Sequence, residues 1–133
     1  MKKQVKYIAL ITVVCIFGLY SCDKTSNDPA TDVREQYVGF WTSTESTSIS
    51  YPVTISLDAS NSAQILINNF HYLGASEKAY AIATKSSLTF PSQVICGNTI
   101  SGSGTYVNAN KITLKYYVND QTTIDTVNAT YTK

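Results

Sequence analysis

Apolar residues recur at every second position through most of this chain. Tyr51, Val53, Ile55 and Leu57 share one parity, and Ile112, Leu114, Tyr116 and Val118 another. Near the end, Val127, Ala129 and Tyr131 alternate with Thr126, Asn128 and Thr130. Successive side chains of a strand point to opposite faces, so this alternation predicts strands that bury one side and wet the other. Runs rich in β-branched and aromatic residues stand near 37–45, 50–58, 63–70, 78–84, 87–96, 99–107, 110–119 and 122–132. Turn-forming residues separate them at Asp58–Ser62, Gly74–Glu77, Gly97-Asn98, Asn108–Asn110 and Asn119-Asp120. Connections this short cannot make parallel crossovers, so neighbouring strands are expected to pair antiparallel. Closure would remove the exposed edges of such a sheet. The expected fold is therefore all-β, a small antiparallel meander β-barrel of about eight short strands with little or no helix. A flattened sandwich is the alternative.

Local chemistry adds detail to that outline. Asp32 to Gln36 predicts one helical turn, with Asp32 as cap and Glu35 at the capping-box position. Pro91 belongs at an edge or bulge, because its nitrogen has no hydrogen to give the ladder. Gly102 and Gly104 share a face and predict a bulge, with a sharp bend or close backbone approach as the alternative. Phe40, Trp41, Ile55, Ile67, Leu114 and Tyr116 are expected to fill the interior. Little space would remain inside, which favours recognition at the surface or the barrel mouth.

The first residues predict an address. Lys2, Lys3 and Lys6 lead into an apolar run, Tyr7 to Leu19, too short for a comfortable membrane span but suited to a signal peptide. Leu19-Tyr20-Ser21-Cys22 resembles the bacterial lipobox, although Tyr20 departs from the usual small or apolar residue. That resemblance implies cleavage before Cys22, a thioether-linked lipid on it and acylation of the new amino terminus. Residues 1–21 would be the signal peptide, 22–32 the lipidated cysteine and a flexible tether, and 33–133 the barrel. The chain is thus expected to be exported and lipid-anchored to the cell envelope, at the outer membrane, on its periplasmic or surface face. A transmembrane anchor or a soluble secreted protein with an incidental cysteine are the alternatives.

Charge narrows the partners. From Cys22 onward seven basic residues stand against nine acidic ones, a net charge of −2, so there is no basic patch for nucleic acid. Charged residues form only 14% of the chain, and threonine, serine, asparagine and tyrosine take their place, as in many secreted β-proteins. Cys15 would leave with the leader and Cys22 would carry lipid, leaving Cys96 unpaired. Val94-Ile95-Cys96 reads as strand, so Cys96 is expected as a small buried core residue.

Catalytic constellations are lacking in the sequence. His71 is the only histidine, and Asn68, Asn69 and Tyr72 beside it are poor zinc ligands, so a loop or rim position is expected. No CxxC, HExxH, GxSxG or phosphate-cradling glycine loop occurs. Asp120 and Asp125 flank a turn and read as solvated residues rather than a catalytic pair. The expectation is a protein that is not an enzyme and uses no cofactor or metal. Ten tyrosines offer ring area with a hydroxyl, suited to sugar or peptide contact but also ordinary sheet filler. Tyr116 and Tyr117 must point to opposite faces.

Two stretches carry a family resemblance. Tyr37-Val-Gly-Phe-Trp41 is similar to the glycine-x-tryptophan signature of calycins, the lipocalins and their relatives, with Gly39 and Trp41 matching. In that fold the tryptophan closes one end of the barrel, often beneath a basic side chain from the last strand. Here the only arginine is Arg34, and the last strand offers Lys133 at its tip. More broadly, Ile65–Phe70, Leu88–Val94, Ile100–Thr105, Lys111–Tyr116 and Ala129–Lys133 recur in an order that resembles the calycin-like, or lipocalin-like, small lipoproteins of the Bacteroidetes type. The likeness spans roughly residues 33 to 133 and implies a small barrel on a lipid anchor, with no activity to transfer. Asp125-Thr126-Val127 also resembles the O-glycosylation acceptor of that group, at Thr126.

The expected function is a lipid-anchored envelope protein whose barrel is a binding or interaction module of unknown ligand. Its partners would be the membrane, through the N-terminal lipid, and an unknown envelope ligand or protein. Phe70, His71, Tyr72 and Leu73 form the candidate binding loop. The alternatives are an inhibitor of secreted peptidases, using the loop from Phe70 to Lys78, and a structural or adhesin component of the envelope.

Overall fold

A computed structural model describes residues 31–133. The predicted leader, Cys22 and most of the tether lie outside the described residues. Eight strands follow in order: β1 (Gly39–Glu45), β2 (Ser50–Leu57), β3 (Gln64–Asn68), β4 (Lys78–Ala83), β5 (Ser87–Ile95), β6 (Asn98–Asn108), β7 (Lys111–Asn119) and β8 (Ile124–Thr132). Each pairs antiparallel with its neighbour in sequence, and β8 returns to β1, closing a meander barrel. The closing seam runs from Thr42 opposite Thr132 to Glu45 opposite Ala129. The architecture is consistent with a calycin-like fold.

Period-2 alternation decides what fills the barrel. Tyr51, Val53 and Ile55 of β2 and Ile112, Leu114, Tyr116 and Val118 of β7 are buried, as are Val127, Ala129 and Tyr131 of β8. Eight strands enclose an interior that such side chains are large enough to fill. Each fully buried isoleucine or phenylalanine contributes about 1.5–3 kcal/mol to that core. Phe40 departs from expectation: it is 81% exposed. The same alternation explains this, since Trp41, Ser43 and Glu45 turn inward and adjacent residues of a strand cannot share a face.

Two glycines of β6 make a close approach rather than a bulge. A Cβ on Gly102 would stand 2.5 Å from the Lys115 carbonyl oxygen and 2.6 Å from the Tyr116 Cα. Gly102 pairs with Tyr116, so the bare backbone gives the Tyr116 side chain its room inside the barrel. The irregularities fall elsewhere, between Phe90 and Gln93 around Pro91 and between Tyr106 and Asn108. Near Pro91 the sheet loosens: β4 and β5 pair only at Ile82–Thr89 and Ala83–Leu88. The Gln93 side chain fills in there, accepting from Tyr80 N at 2.9 Å and donating to Tyr80 O at 2.8 Å.

Cys96 is not a core residue. It is exposed, in a two-residue turn with Gly97 that joins Ile95 to Asn98. Both turn residues have positive φ, 49° and 80°, the backbone that a tight hairpin with right-handed twist requires.

The two ends of the barrel differ. At one end a 3-10 turn, Glu35–Tyr37, lies across the opening. The expected capping box is absent there: Asp32 Oδ1 instead accepts from the Arg34 amide and guanidinium, each at 3.0 Å. Buried Arg34 also donates through Nη1 to the carbonyls of Asp58, Asn61 and Gln64 at 3.3, 3.0 and 2.9 Å. That pairing holds the Asp32 carboxyl below the usual carboxylate range, the Arg34 side-chain hydrogen bond being the main cause. Tyr37 donates to Thr84 O at 2.8 Å, and Trp41 Nε1 donates to Tyr37 O at 2.7 Å. Lys133 Nζ sits 4.3 Å from the Trp41 ring centre and donates to Val38 O at 3.1 Å. Lys133 therefore supplies the cation over the tryptophan. Gly39, at φ 125°, turns the chain into β1 just beneath that lysine.

Replacing Gly102 by alanine forces backbone apart in a packed barrel, and the expected cost is about 1–3 kcal/mol. A lower urea midpoint with an unchanged slope checks it; a wild-type midpoint would show that β6 and β7 do not meet so closely.

Candidate functional site

The opposite end carries the turns at 46–49, 96–97 and 120–123 and the longer loop at 69–77. Three strands aim polar side chains into it. Glu45 ends β1 on the inner face that Trp41 and Ser43 define, and it is only 8% exposed. Tyr51 enters from β2 and donates its hydroxyl to Glu45 Oε1 in a short hydrogen bond. Tyr116 enters from β7 and donates to the same oxygen at 2.8 Å. His71 Nδ1 lies 3.1 Å from Oε1 and 3.0 Å from the Tyr116 hydroxyl. A carboxylate can only accept, so an Nδ1 proton suits that contact.

All three partners thus converge on one carboxylate oxygen. Glu45 Oε2 takes no hydrogen bond among the described residues. Below it, Ser43 stands opposite Tyr51 on one side and Tyr131 on the other. The hydroxyls of Ser43 and Tyr131 are buried without a well-formed hydrogen bond. Buried polar groups are ordinarily satisfied, and Ser43 lies between Tyr51 and Tyr131, the nearest partners its hydroxyl has. The tyrosines hold their protons tightly. Burial, aided by the hydrogen bond to Glu45, pushes Tyr51 up, and burial with the neighbouring Tyr51 and Glu45 does the same for Tyr116. Tyr131 is raised well above the ordinary value, again chiefly by burial.

His71 reaches the carboxylate because the loop carrying it is bent tightly. Asn69, His71 and Tyr72 have φ of 60°, 52° and 56°, left-handed backbone at three non-glycine residues. Such conformations persist only when their surroundings hold them. Phe70 provides the anchor, buried with its ring 4.7 Å from Tyr116 and 5.2 Å from Phe90. Asn69 secures both sides of the bend: Nδ2 donates to Pro52 O at 2.8 Å and Oδ1 accepts from Gly74 N at 3.2 Å. Tyr72 projects 69% exposed, its ring 5.4 Å from that of Tyr51.

The four residues of the candidate loop therefore separate. His71 and Tyr72 stand at the mouth, whereas Phe70 is core and Leu73 packs partly against it. Thr126 is exposed on the outer face of β8, between buried Val127 and the turn. Asp120 and Asp125 are solvated, and backbone amides of Thr123 and Thr122 hold the Asp120 carboxyl low. Sequence reasoning missed Glu45, Tyr51 and Tyr116 as one constellation. The signal for Glu45 was its parity with Trp41.

The buried tyrosines give a defined pH response. Tyr37 is pushed up to about 12 by burial, and Tyr51, Tyr116 and Tyr131 are also raised, so folding favours their protonated forms. Their stabilisation is complete below the ordinary tyrosine value of 10 and is lost as pH rises through the raised values. Tyrosinate absorbance should show a delayed group of tyrosines that ionise together with unfolding; ten tyrosines titrating freely near 10 would contradict it. Comparison with protein-family models and with curated proteins gives no match for this chain.

Proposed function

We propose that this chain is a non-catalytic, lipid-anchored envelope protein of the calycin-like lipoprotein kind, whose barrel binds its ligand or partner at the His71–Tyr72 end. The observation that carries this reading is the contrast between the two ends. Arg34, Trp41, Tyr37 and Lys133 occupy the end from which the tether would leave. The far end, which an anchored barrel would present away from the lipid, keeps a partly satisfied carboxylate and an exposed aromatic ring. The outer face supports an aqueous setting: Thr42, Thr44, Lys115, Asn128 and Thr132 are exposed around an apolar interior, the reverse of a lipid-facing barrel. Cys22 would bring the anchor, and two or three acyl chains at about 0.8 kcal/mol per buried methylene hold a protein on a membrane.

A second reading, inhibition of a secreted peptidase, is favoured by the exposure of Tyr72 on a loop fixed by Asn68, Asn69 and Phe70. A structural or adhesin role would use an uncovered strand edge, and the β1–β8 seam leaves none at the ends of the meander.

Two measurements test the proposal. Lipid labelling and fractionation should find the wild-type chain labelled and membrane-bound, and Cys22→Ser neither; an unlabelled wild type with an uncleaved start overturns the anchor. A photo-crosslinking residue placed at Tyr72 should capture an envelope component that the same residue at Lys85, in the turn at the stapled end, does not. Capture from Lys85 alone would reverse the assignment of the ends.

A further inference from the structure

We propose that the outer wall of β2 and β3, beside the loop at 69–77, is a binding site for a neutral pyranose sugar. This rests on the reading of the His71–Tyr72 end as the binding end and adds the ligand's chemical class. Pro52, Thr54, Asn68, Asn69 and Ala75 line a solvent-facing cleft of about 320 Å³ there. Small-molecule clefts begin at roughly 300 Å³, so this one suits a single sugar ring. Thr54 pairs with Asn68 across β2 and β3, and with Phe40 across β2 and β1. Partners in register share a face, so Phe40, Thr54 and Asn68 form one row on the outer wall, with the Phe40 side chain 81% exposed.

The lining holds hydroxyl and amide groups and no charged side chain. Asn68 Nδ2 donates to Ala75 O at 3.2 Å, which leaves Oδ1 and the second Nδ2 hydrogen without a protein partner among the described residues. The Thr54 hydroxyl takes none there either. A hydroxyl and an amide that both donate and accept match the vicinal hydroxyls of a sugar, which do the same. A pyranose also has an apolar face of C–H groups that packs on an aromatic ring. Phe40 offers such a ring among Thr42, Thr54 and Asn68, and exposed Pro52 adds a second apolar surface. An ionic ligand would find no counter-charge in the lining itself; Lys78, opposite Asn68 on β4, is the nearest charge in the row.

The cleft is set before any ligand arrives. Asn69 Nδ2 donates to Pro52 O and its Oδ1 accepts from Gly74 N, so one amide ties β2 to the loop. Buried Phe70 anchors the left-handed bend that follows. Fixed groups cost less to order on binding than mobile ones. Asn69 and Ala75 belong to the loop that carries His71 and Tyr72, so a sugar in the cleft would lie on the flank of that loop.

NMR titration of the intact chain, in a zwitterionic detergent without sugar headgroups, tests the proposal. The probes are the methyl pyranosides of glucose, galactose, mannose and N-acetylglucosamine. Glycerol, with hydroxyls but no ring, and cyclohexanol, with a ring but one hydroxyl, are the controls. At least one pyranoside should bind saturably and move the resonances of Phe40, Thr54, Asn68 and Ala75. Phe40→Ala should weaken that pyranoside about fivefold, for want of the ring. Thr54→Val, which keeps the shape of the side chain and removes its hydroxyl, should weaken it about threefold, and Asn68→Ala about fivefold. No saturable binding of any of the four, equal binding of glycerol or cyclohexanol, or full affinity in Phe40→Ala or Thr54→Val overturns it. So do shifts confined to Thr44, Asn128 and Thr130, in the groove along the β1–β8 seam. The wild-type arms hold even if Asn68→Ala fails to fold. If no pyranoside binds while another envelope component shifts Tyr72 and His71, the sugar assignment falls and the binding end stands. If no component shifts that end and one shifts the Lys85 end, the broader reading falls as well.

Discussion

The seam between β1 and β8 is the constraint on which the rest of this barrel depends. It spans four residue pairs, Thr42–Thr132 to Glu45–Ala129, and Ser46 N extends it with a 2.8 Å bond to Asn128 O. Without it a twisted eight-stranded sheet would leave two unpaired edges and open its apolar face to water. Closure also sets both ends of the molecule. β1 carries Trp41 and Glu45 on one inner face, about 13 Å apart at the rise of a strand, so a single strand supplies the plug of one end and the acid of the other. β8 answers with Tyr131 near the acid, and Lys133 just past its end lies over the tryptophan.

The two ends treat a buried charge differently. Arg34 spends its donors on three backbone carbonyls and a carboxylate that faces it in a fork, which leaves little for anything else to recognise. Glu45 is held by two phenols and an imidazole on one oxygen, with the other oxygen open. A carboxylate in a barrel interior is costly unless donors surround it, and Tyr51, Tyr116 and His71 supply them here. The interior is thus apolar and capped at one end and polar at the other.

Much of this architecture was readable from alternation and turns. All eight strands lie within a few residues of their expected positions, since each alternates around a definite inner face and ends at a turn former. Trp41 of the Gly39–Trp41 pair is buried, and Lys133 reaches its ring. The departures are equally instructive. Hydrophobicity alone points Phe40 inward, but its neighbour Trp41 takes that face and Phe40 is exposed. Val94 and Ile95 make Cys96 look like the end of a strand, whereas Gly97 beside it draws both residues into a tight turn. Gly102 and Gly104 resolve as room for Tyr116 and Leu114 across the sheet, a relation between strands that one segment does not reveal. The candidate site was legible only in part. Parity with Trp41 places Glu45 inward, but its meeting with Tyr51, Tyr116 and His71 is made by closure and by a left-handed bend at residues that contain no glycine.

Residue-resolved amide hydrogen exchange on the intact chain tests the closed barrel most directly. The account predicts that Thr42–Glu45 and Ala129–Thr132 contain strongly protected amides, exchanging with those in the centre of β6 and β7 as one cooperative unit. Seam amides that exchange as freely as the turn at 46–49, while β6 and β7 stay protected, would contradict it and leave an open sheet in place of a barrel.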